Sequence, residues 1–353
     1  MITETTSNNP SYVQNFHKSI TSPQNYRHLV GDIHTSTLSL GAAPLGMSTD
    51  LKNPAEFVTS AIQDYHVNYI DTAPWYGQGK SESILGEILQ NIPRKAYFIA
   101  TKVGRYELDL KHRFDFSRKK TMESVNKSLK LLKVDCIDVV QVHDCEFSLD
   151  DYKMILEECL PALQELKDEG KIRFIGITGY PISMFTEVIS RSNVKIDTIL
   201  SYCKLSIHDY ELLNLRKNDK FKNIGIIAAS PLSMGLLTPN GPPDWHPADK
   251  ELKEVSRKAA EICKKNTCNF ARLAIRFSVE RFDFNATLLV GVRNLEEVKM
   301  NFDNTCLSIK ENQVLNQVLK VFEEAGCNQS WERKEVQSYK NFMLTGKLNS
   351  DLQ

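Results

Sequence analysis

The sequence predicts a single (β/α)8 barrel, an α/β fold, and three observations support that prediction. Strand-like apolar runs alternate with helical patterns seven or eight times, with no linker between them. The runs are nearly continuous, as in Ile137-Asp-Val-Val-Gln-Val142 and Ile224-Gly-Ile-Ile-Ala-Ala229, which suits parallel strands covered on both faces. No strand is followed by GxGxxG, the turn that seats a pyrophosphate on a helix N-terminus in an open dinucleotide-binding sheet. A chain of 353 residues fits either two ordinary domains or one barrel with added ends. The unbroken alternation favours the barrel.

Residues 1–24 are rich in Ser, Thr, Asn and Gln and read as a mobile tail, so the barrel is assigned to residues 25–325. Thr37-Leu-Ser-Leu-Gly-Ala-Ala-Pro-Leu-Gly46 gives a strand running into a Gly/Pro turn, and Pro54–His66 has helical spacing through Phe57, Ala61, Ile62 and Tyr65. Further strands are expected at Val67–Asp71, Tyr97–Lys102, Cys136–His143, Ile172–Thr178, Thr198–Tyr202, Ile224–Ser230 and Thr287–Val290, each followed by a helical pattern. Pro74 and Gly77 break the first of these runs, and Ser81 followed by Ile84, Leu85, Ile88 and Leu89 starts an amphipathic helix. The other well-marked helices are Arg118–Leu132, Asp151–Glu169 with Gly170 stopping it, Ser183–Ser192 and Glu251–Lys265. Glu311–Ala325 adds one more, and residues 326–353 read as a polar C-terminal extension.

Forty-four Lys and Arg balance forty-four Asp and Glu, so nothing in the charge points to nucleic acid or an anionic membrane. The N-terminus lacks a basic-then-apolar signal pattern, and no apolar run approaches the ~20 residues that span a bilayer. A cytoplasmic protein is expected, a monomer or weak homodimer acting on a neutral small molecule. The eight cysteines have no CxxC spacing and fit reduced thiols used as small hydrophobes.

In parallel α/β folds ligands bind at the carboxyl edge of the strands. Four polar residues fall there: Asp71 and Tyr76 on one strand-to-helix turn, Lys102 in Ile99-Ala-Thr-Lys-Val-Gly104, and His143 in Val140-Gln-Val-His-Asp144. Each alone has an ordinary structural account: a turn-capping Asp, a half-buried Tyr, a satisfied core His. Converging on one mouth, they are together candidates for a reaction centre. A Lys at the end of an apolar strand is costly unless paired, and Asp71 on the neighbouring strand is the obvious partner. An ammonium held there would favour the phenolate of Tyr76 and lower its pKa from about 10. His143 can hydrogen-bond a carbonyl or hydroxyl oxygen beside that phenol. Gly79-Lys-Ser81 is not the end of a phosphate-binding loop, because the first Gly of that motif would fall on Pro74. A metal is not expected at His143-Asp-Cys-Glu146, since neighbouring strand side chains point apart and no second His is near.

In this order and spacing the four residues resemble the Asp/Tyr/Lys/His set of the aldo-keto reductase superfamily. Asn68-Tyr-Ile-Asp-Thr-Ala-Pro-Trp-Tyr-Gly77 is similar to the family's strand-2 signature, Gly170-Lys-Ile-Arg-Phe-Ile-Gly-Ile-Thr-Gly179 to its strand-5 segment, and Ala229-Ser-Pro-Leu-Ser-Met-Gly235 to its strand-7 loop. The resemblance covers about residues 25 to 310. Thr101-Lys-Val-Gly-Arg-Tyr106, His143-Asp-Cys-Glu-Phe147, Ser201-Tyr-Cys203 and the loop from Gly235 to Pro247 look most like the family's aldose 1-dehydrogenases.

The resemblance implies a nicotinamide cofactor at the C-terminal face of the barrel and assigns roles by position. Asp71 and Lys102 would be the tuning pair, Tyr76 the proton donor or acceptor, and His143 the group that orients substrate, with Trp75 and Trp245 as further substrate contacts. Thr178 and Ser201 stand at the carboxamide-holding positions, although Thr178-Gly179 replaces a frequent Ser-Asn pair and Ser201 the usual Gln. Ser230, Leu232 and Met234 supply further cofactor contacts, and Ala229 stands where many members stack an aromatic ring. The segment that usually grips the 2′-phosphate of NADP reads Gly291, Val292 and Glu297, without its Lys and Arg, and Asn301 matches the adenine-contacting Asn. A phosphate beside Glu297 would be repelled. NAD is therefore expected, with NADP open through Arg293. The implied reaction is NAD-dependent oxidation of L-galactose, or a similar aldose, at C1 to the lactone. An NADPH-dependent reductase of aldehydes or ketones shares every one of the four residues, and a slowly turning nicotinamide-binding sensor or channel-associated barrel remains a third reading.

Overall fold

A computed structural model describes residues 8–19, 24–281, 286–326 and 330–347. Among the described residues are ten strands: β1 (Tyr26–Val30), β2 (Ile33–Ser36), β3 (Leu38–Gly41), β4 (Tyr69–Asp71), β5 (Phe98–Val103), β6 (Ile137–Val142), β7 (Ile172–Gly179), β8 (Thr198–Tyr202), β9 (Gly225–Ala229) and β10 (Ala286–Gly291). Strands β3 to β10 close an all-parallel eight-stranded barrel, with β10 paired to both β9 and β3. The expected fold class is the one observed.

The helices are α1 (Ala43–Met47), α2 (Pro54–Gln63), α3 (Lys80–Leu89), α4 (Arg118–Leu132), α5 (Leu160–Asp168), α6 (Ile182–Arg191), α7 (Lys250–Lys265), α8 (Phe270–Arg281), α9 (Leu295–Asn301), α10 (Ile309–Glu324) and α11 (Glu332–Thr345). Several start on side-chain caps that satisfy otherwise unpaired backbone donors. Ser117 accepts from Lys120 N, Asp249 from Leu252 N, and Ser308 forms a reciprocal capping box with Glu311.

Inside the barrel, Tyr69, Ala100, Val139, Leu200, Ile227 and Leu289 pack together with Leu29, Val30 and Ile33 of the β1–β2 hairpin. The hairpin thus stoppers the N-terminal end of the barrel, leaving the C-terminal end for chemistry. Its side chains join a core far away in sequence, so local periodicity gave no sign of it.

Four parts of the chain differ from the sequence reading. Residues 8–19, read as tail, lie against the barrel: Asn9, Ser11 and His17 are buried, Asn68 Nδ2 donates to Ser11 Oγ at 3.1 Å, and Lys18 N donates to Gln63 O at 3.0 Å. With Val13 and Phe16 packed on the main core as well, these contacts follow no regular period. Residues 1–7 and 20–23 of that tail lie outside the described residues. After β8 the chain forms 3-10 turns at Glu211–Lys217 and Asp219–Phe221 rather than an α-helix. Helix α8, buried along most of its length, is not among the helices that the sequence marks. The C-terminal extension, read as polar tail, contains α11, whose Tyr339 and the preceding Trp331 are buried at 2% and 1% exposure. Residues 327–329 and 348–353 of that extension lie outside the described residues. Among the described residues no helix is long and apolar enough to cross a membrane.

Candidate functional site

Strand β4 has only three residues and ends on Asp71, after which the chain turns sharply before α3. Ser81 Oγ donates to Ala42 O and shares a hydrogen bond with Thr72 Oγ1, each at 2.8 Å, tying the turn to the end of β3. Gly46 and Gly77 let two backbones touch: a Cβ on Gly46 would overlap the Tyr76 carbonyl, and Gly77 has φ +66°. Gly46→Ala is therefore expected to push the Tyr76 turn outward, lowering turnover at least tenfold for a stability loss of about 1–3 kcal/mol, as overpacking does. Wild-type rates in that variant, alongside its unfolding curve, would show that the turn tolerates displacement.

Asp71, Tyr76, Lys102 and His143 meet at the C-terminal mouth. Lys102 Nζ pairs with Asp71 Oδ1 and donates to Thr72 O at 2.8 Å and to Tyr76 Oη at 3.3 Å. The second oxygen of Asp71 accepts from Gln141 Nε2 at 2.8 Å. Lys102 and Asp71 are both buried, so each charge depends on the other. The His143 ring stands edge-on to Tyr76, centroids 6.0 Å apart and planes at 89°.

Burial opposes the charged form of Lys102, but Asp71 and then Tyr76 outweigh it and raise the ammonium pKa. Burial likewise lifts the Asp71 carboxyl, against Lys102 and Gln141. The expectation for Tyr76 is corrected here: its phenol pKa is raised, because burial, reinforced by Asp71, exceeds the downward pull of Lys102. Lys102 still favours the phenolate, without bringing it below the ordinary range. Burial, with Lys102 and Arg105 adding, lowers the His143 imidazole to about 3, so it is neutral at physiological pH.

Farther round the rim, Thr178 Oγ1 accepts from Asp144 N at 3.0 Å. Ser201 Oγ is buried and meets no partner among the described residues, and the same holds for Asn301 Oδ1, whose Nδ2 reaches Gly291 O at 3.5 Å. After β9 the loop winds through left-handed conformations at Ser230, Ser233, Met234 and Gly235, φ +58°, +47°, +54° and +99°. Leu232, within this loop, is half-buried and packs against the core. Just before α9, Arg293 is clasped by Glu297 of that helix, with Nη2 to Oε1 at 2.6 Å, Nε to Oε1 at 3.0 Å and the backbone N to Oε2 at 2.8 Å.

Residues 37–320 match the sequence model of the Aldo/keto reductase family. The chain belongs to that family. L-galactose dehydrogenase of Arabidopsis thaliana is 41% identical over 76% of this chain and 84% of its own. D-arabinose 1-dehydrogenase of Saccharomyces cerevisiae is 33% identical over 84% of this chain and 93% of its own. Among solved structures, an aldo-keto reductase from Bacillus halodurans superposes with TM-score 0.65 at 27% identity, over 84% of this chain and 96% of that one. As an aldo/keto reductase the protein is an NAD(P)-dependent oxidoreductase.

The mouth of this aldo/keto reductase also holds residues that the sequence reading missed. Gln141 is one, a polar residue inside an apolar strand and for that reason visible in principle. Arg105 donates from Nη1 to Asp144 Oδ2 at 2.5 Å and lies over the Trp75 ring at 4.2 Å, with Arg113 over the same ring at 5.3 Å. Trp75 is thus at the mouth. Burial works against the Asp144 carboxylate, yet His143 and Arg105 hold its pKa below the usual range. Helix α11 closes over this side, Tyr339 packing edge-on against Phe114 and Phe147 at 5.2 and 5.5 Å. Its Glu335 is half-buried; burial raises that carboxyl, Arg105 and Arg113 oppose, and Asp144 adds to the rise. Trp245 does not join the cluster: it is 67% exposed, with its ring against His246.

Proposed function

We propose that this enzyme oxidises the C1 hydroxyl of an aldose to the lactone with NAD, L-galactose being the first substrate to test. The observation that carries the reading is the complete Asp71, Tyr76, Lys102 and His143 arrangement in a chain 41% identical to an L-galactose dehydrogenase. Tyr76, as phenolate, takes the proton of the C1 hydroxyl, and Lys102 stabilises the negative charge that the phenolate carries. Neutral His143 donates to the reacting oxygen and fixes it beside the phenol. Asp71, held by Gln141, keeps Lys102 charged and aimed.

The orphaned Ser201 hydroxyl and Asn301 amide oxygen suit the two ends of a nicotinamide dinucleotide. Thr178 and Ser201 would hold the carboxamide, Ser230, Leu232 and Met234 the middle, and Gly291 and Asn301 the adenosine end. Bound there, NAD supplies the hydride acceptor.

The preference for NAD over NADP rests on charge. Gly291 and Val292 offer no cation, and Glu297 neutralises Arg293 with both of its oxygens. A 2′-phosphate needs charge-assisted hydrogen bonds to offset its lost hydration. Wild type is expected to show a higher kcat/KM with NAD, and Glu297→Arg combined with Gly291→Lys to shift the ratio toward NADP by a factor on the order of 10². A wild-type preference for NADP that Arg293→Ala abolishes would refute the electrostatic argument. Initial rates of sugar oxidation with each cofactor test the whole reading: no turnover of any aldose with either one would refute it.

A further inference from the structure

Asp144 follows His143 directly, and its two oxygens are placed differently. Oδ2 is taken by Arg105. Oδ1 accepts from no donor among the described residues and lies 3.7 Å from His143 Nε2. A pair serving stability alone would turn both oxygens to the guanidinium, the stronger two-bonded arrangement. The side chain is only 4% exposed, yet Oδ1 is not one of the fully enclosed polar atoms without a partner, so this oxygen keeps an opening to solvent. Arg105 is itself fixed, stacked over Trp75 at 4.2 Å. The carboxylate therefore has one oxygen anchored and the other presented beside the imidazole that orients the reacting oxygen.

We propose that Asp144 is a specificity-determining residue whose Oδ1 accepts a hydrogen bond from the hydroxyl on the carbon next to the reacting carbon. The inference rests on the sugar reading above and deepens it. When the C1 oxygen sits on His143 and Tyr76, the vicinal C2 hydroxyl lies beside it on the substrate, as Oδ1 lies beside the imidazole at 3.7 Å. A bound substrate with that hydroxyl gives Oδ1 a donor, and one without it covers the acceptor with no partner. The site thus selects α-hydroxylated alcohols and carbonyls over simple ones.

The test is a ratio of kcat/KM values for galactose and 2-deoxygalactose, measured in wild type and in Asp144→Asn. Wild type is expected to favour the C2-hydroxylated sugar by roughly 10- to 100-fold, and Asp144→Asn to bring the ratio to within a few-fold of unity. A structural role for Asp144 would lower both values together and leave the ratio where it was. An unchanged ratio in the variant therefore overturns the inference, and so does a wild-type ratio near one. Failure of wild type to oxidise any aldose overturns the sugar reading instead, and the two failures are told apart by wild type alone. If Asp144→Asn does not fold, Arg105→Lys keeps a cation but loses the planar fork and reads the same ratio. Its expected effect is a several-fold fall, and an unchanged ratio counts against the proposal.

Discussion

Tyr76→Phe is expected to lower kcat by roughly 10²- to 10⁴-fold, the usual contribution of a general acid–base group, with the unfolding midpoint nearly unchanged. The phenol oxygen receives one hydrogen bond, from Lys102 at 3.3 Å, while the ring keeps its edge contact with His143. Removing the hydroxyl deletes the proton acceptor and leaves the packing in place. Lys102 keeps Asp71 and the Thr72 carbonyl as partners, so no buried charge is stranded. Cofactor affinity, read by fluorescence titration with NAD, should change little because Tyr76 is not among the proposed cofactor contacts. Turnover within a few-fold of wild type would remove Tyr76 from the mechanism.

Lys102→Met is expected to cost about 3–5 kcal/mol of stability, the range for breaking a buried ion pair by removing one partner. Asp71 would keep Gln141 but lose its counter-charge at a site only 2% exposed. The chemistry should suffer in a direction the electrostatics fix. Lys102 is the main group pulling the Tyr76 pKa down against burial, so its loss raises that pKa further. Oxidation needs the phenolate, and its rate climbs as pH rises through the phenol pKa. The acidic limb of the oxidative profile should therefore move to higher pH, as should the alkaline limb of the reductive one. Paired urea curves and pH–rate profiles measure both effects, and a variant whose limbs stay where the wild type's are would falsify the role of Lys102.

The alternation of short apolar runs with helical faces determined the barrel, because parallel strands buried on both sides must be apolar throughout and must be joined by crossover helices. It also marked Asp71, Lys102 and His143 as candidate site residues, since a Lys, Asp or His at the end of such a run is costly to bury unless it has a partner or a task, and Tyr76 as a candidate on the turn that follows Asp71. The identity of Asp71 as partner to Lys102 follows from two adjacent strand ends. What the sequence could not determine are quantities that depend on surroundings brought in from elsewhere. The raised pKa of Tyr76 is one: residue types suggest the attraction of Lys102, but only the enclosed mouth shows that burial exceeds it. The hairpin stopper and helix α11 are others, because Leu29, Ile33, Trp331 and Tyr339 find their neighbours on distant strands and loops. Arg293 reads as a candidate phosphate ligand until Glu297, four residues on, is seen clasping it. Asp144 looks like a residue in the shadow of His143. Only the tertiary structure, by giving Arg105 one of its oxygens and leaving the other beside the imidazole, makes it a candidate reader of substrate.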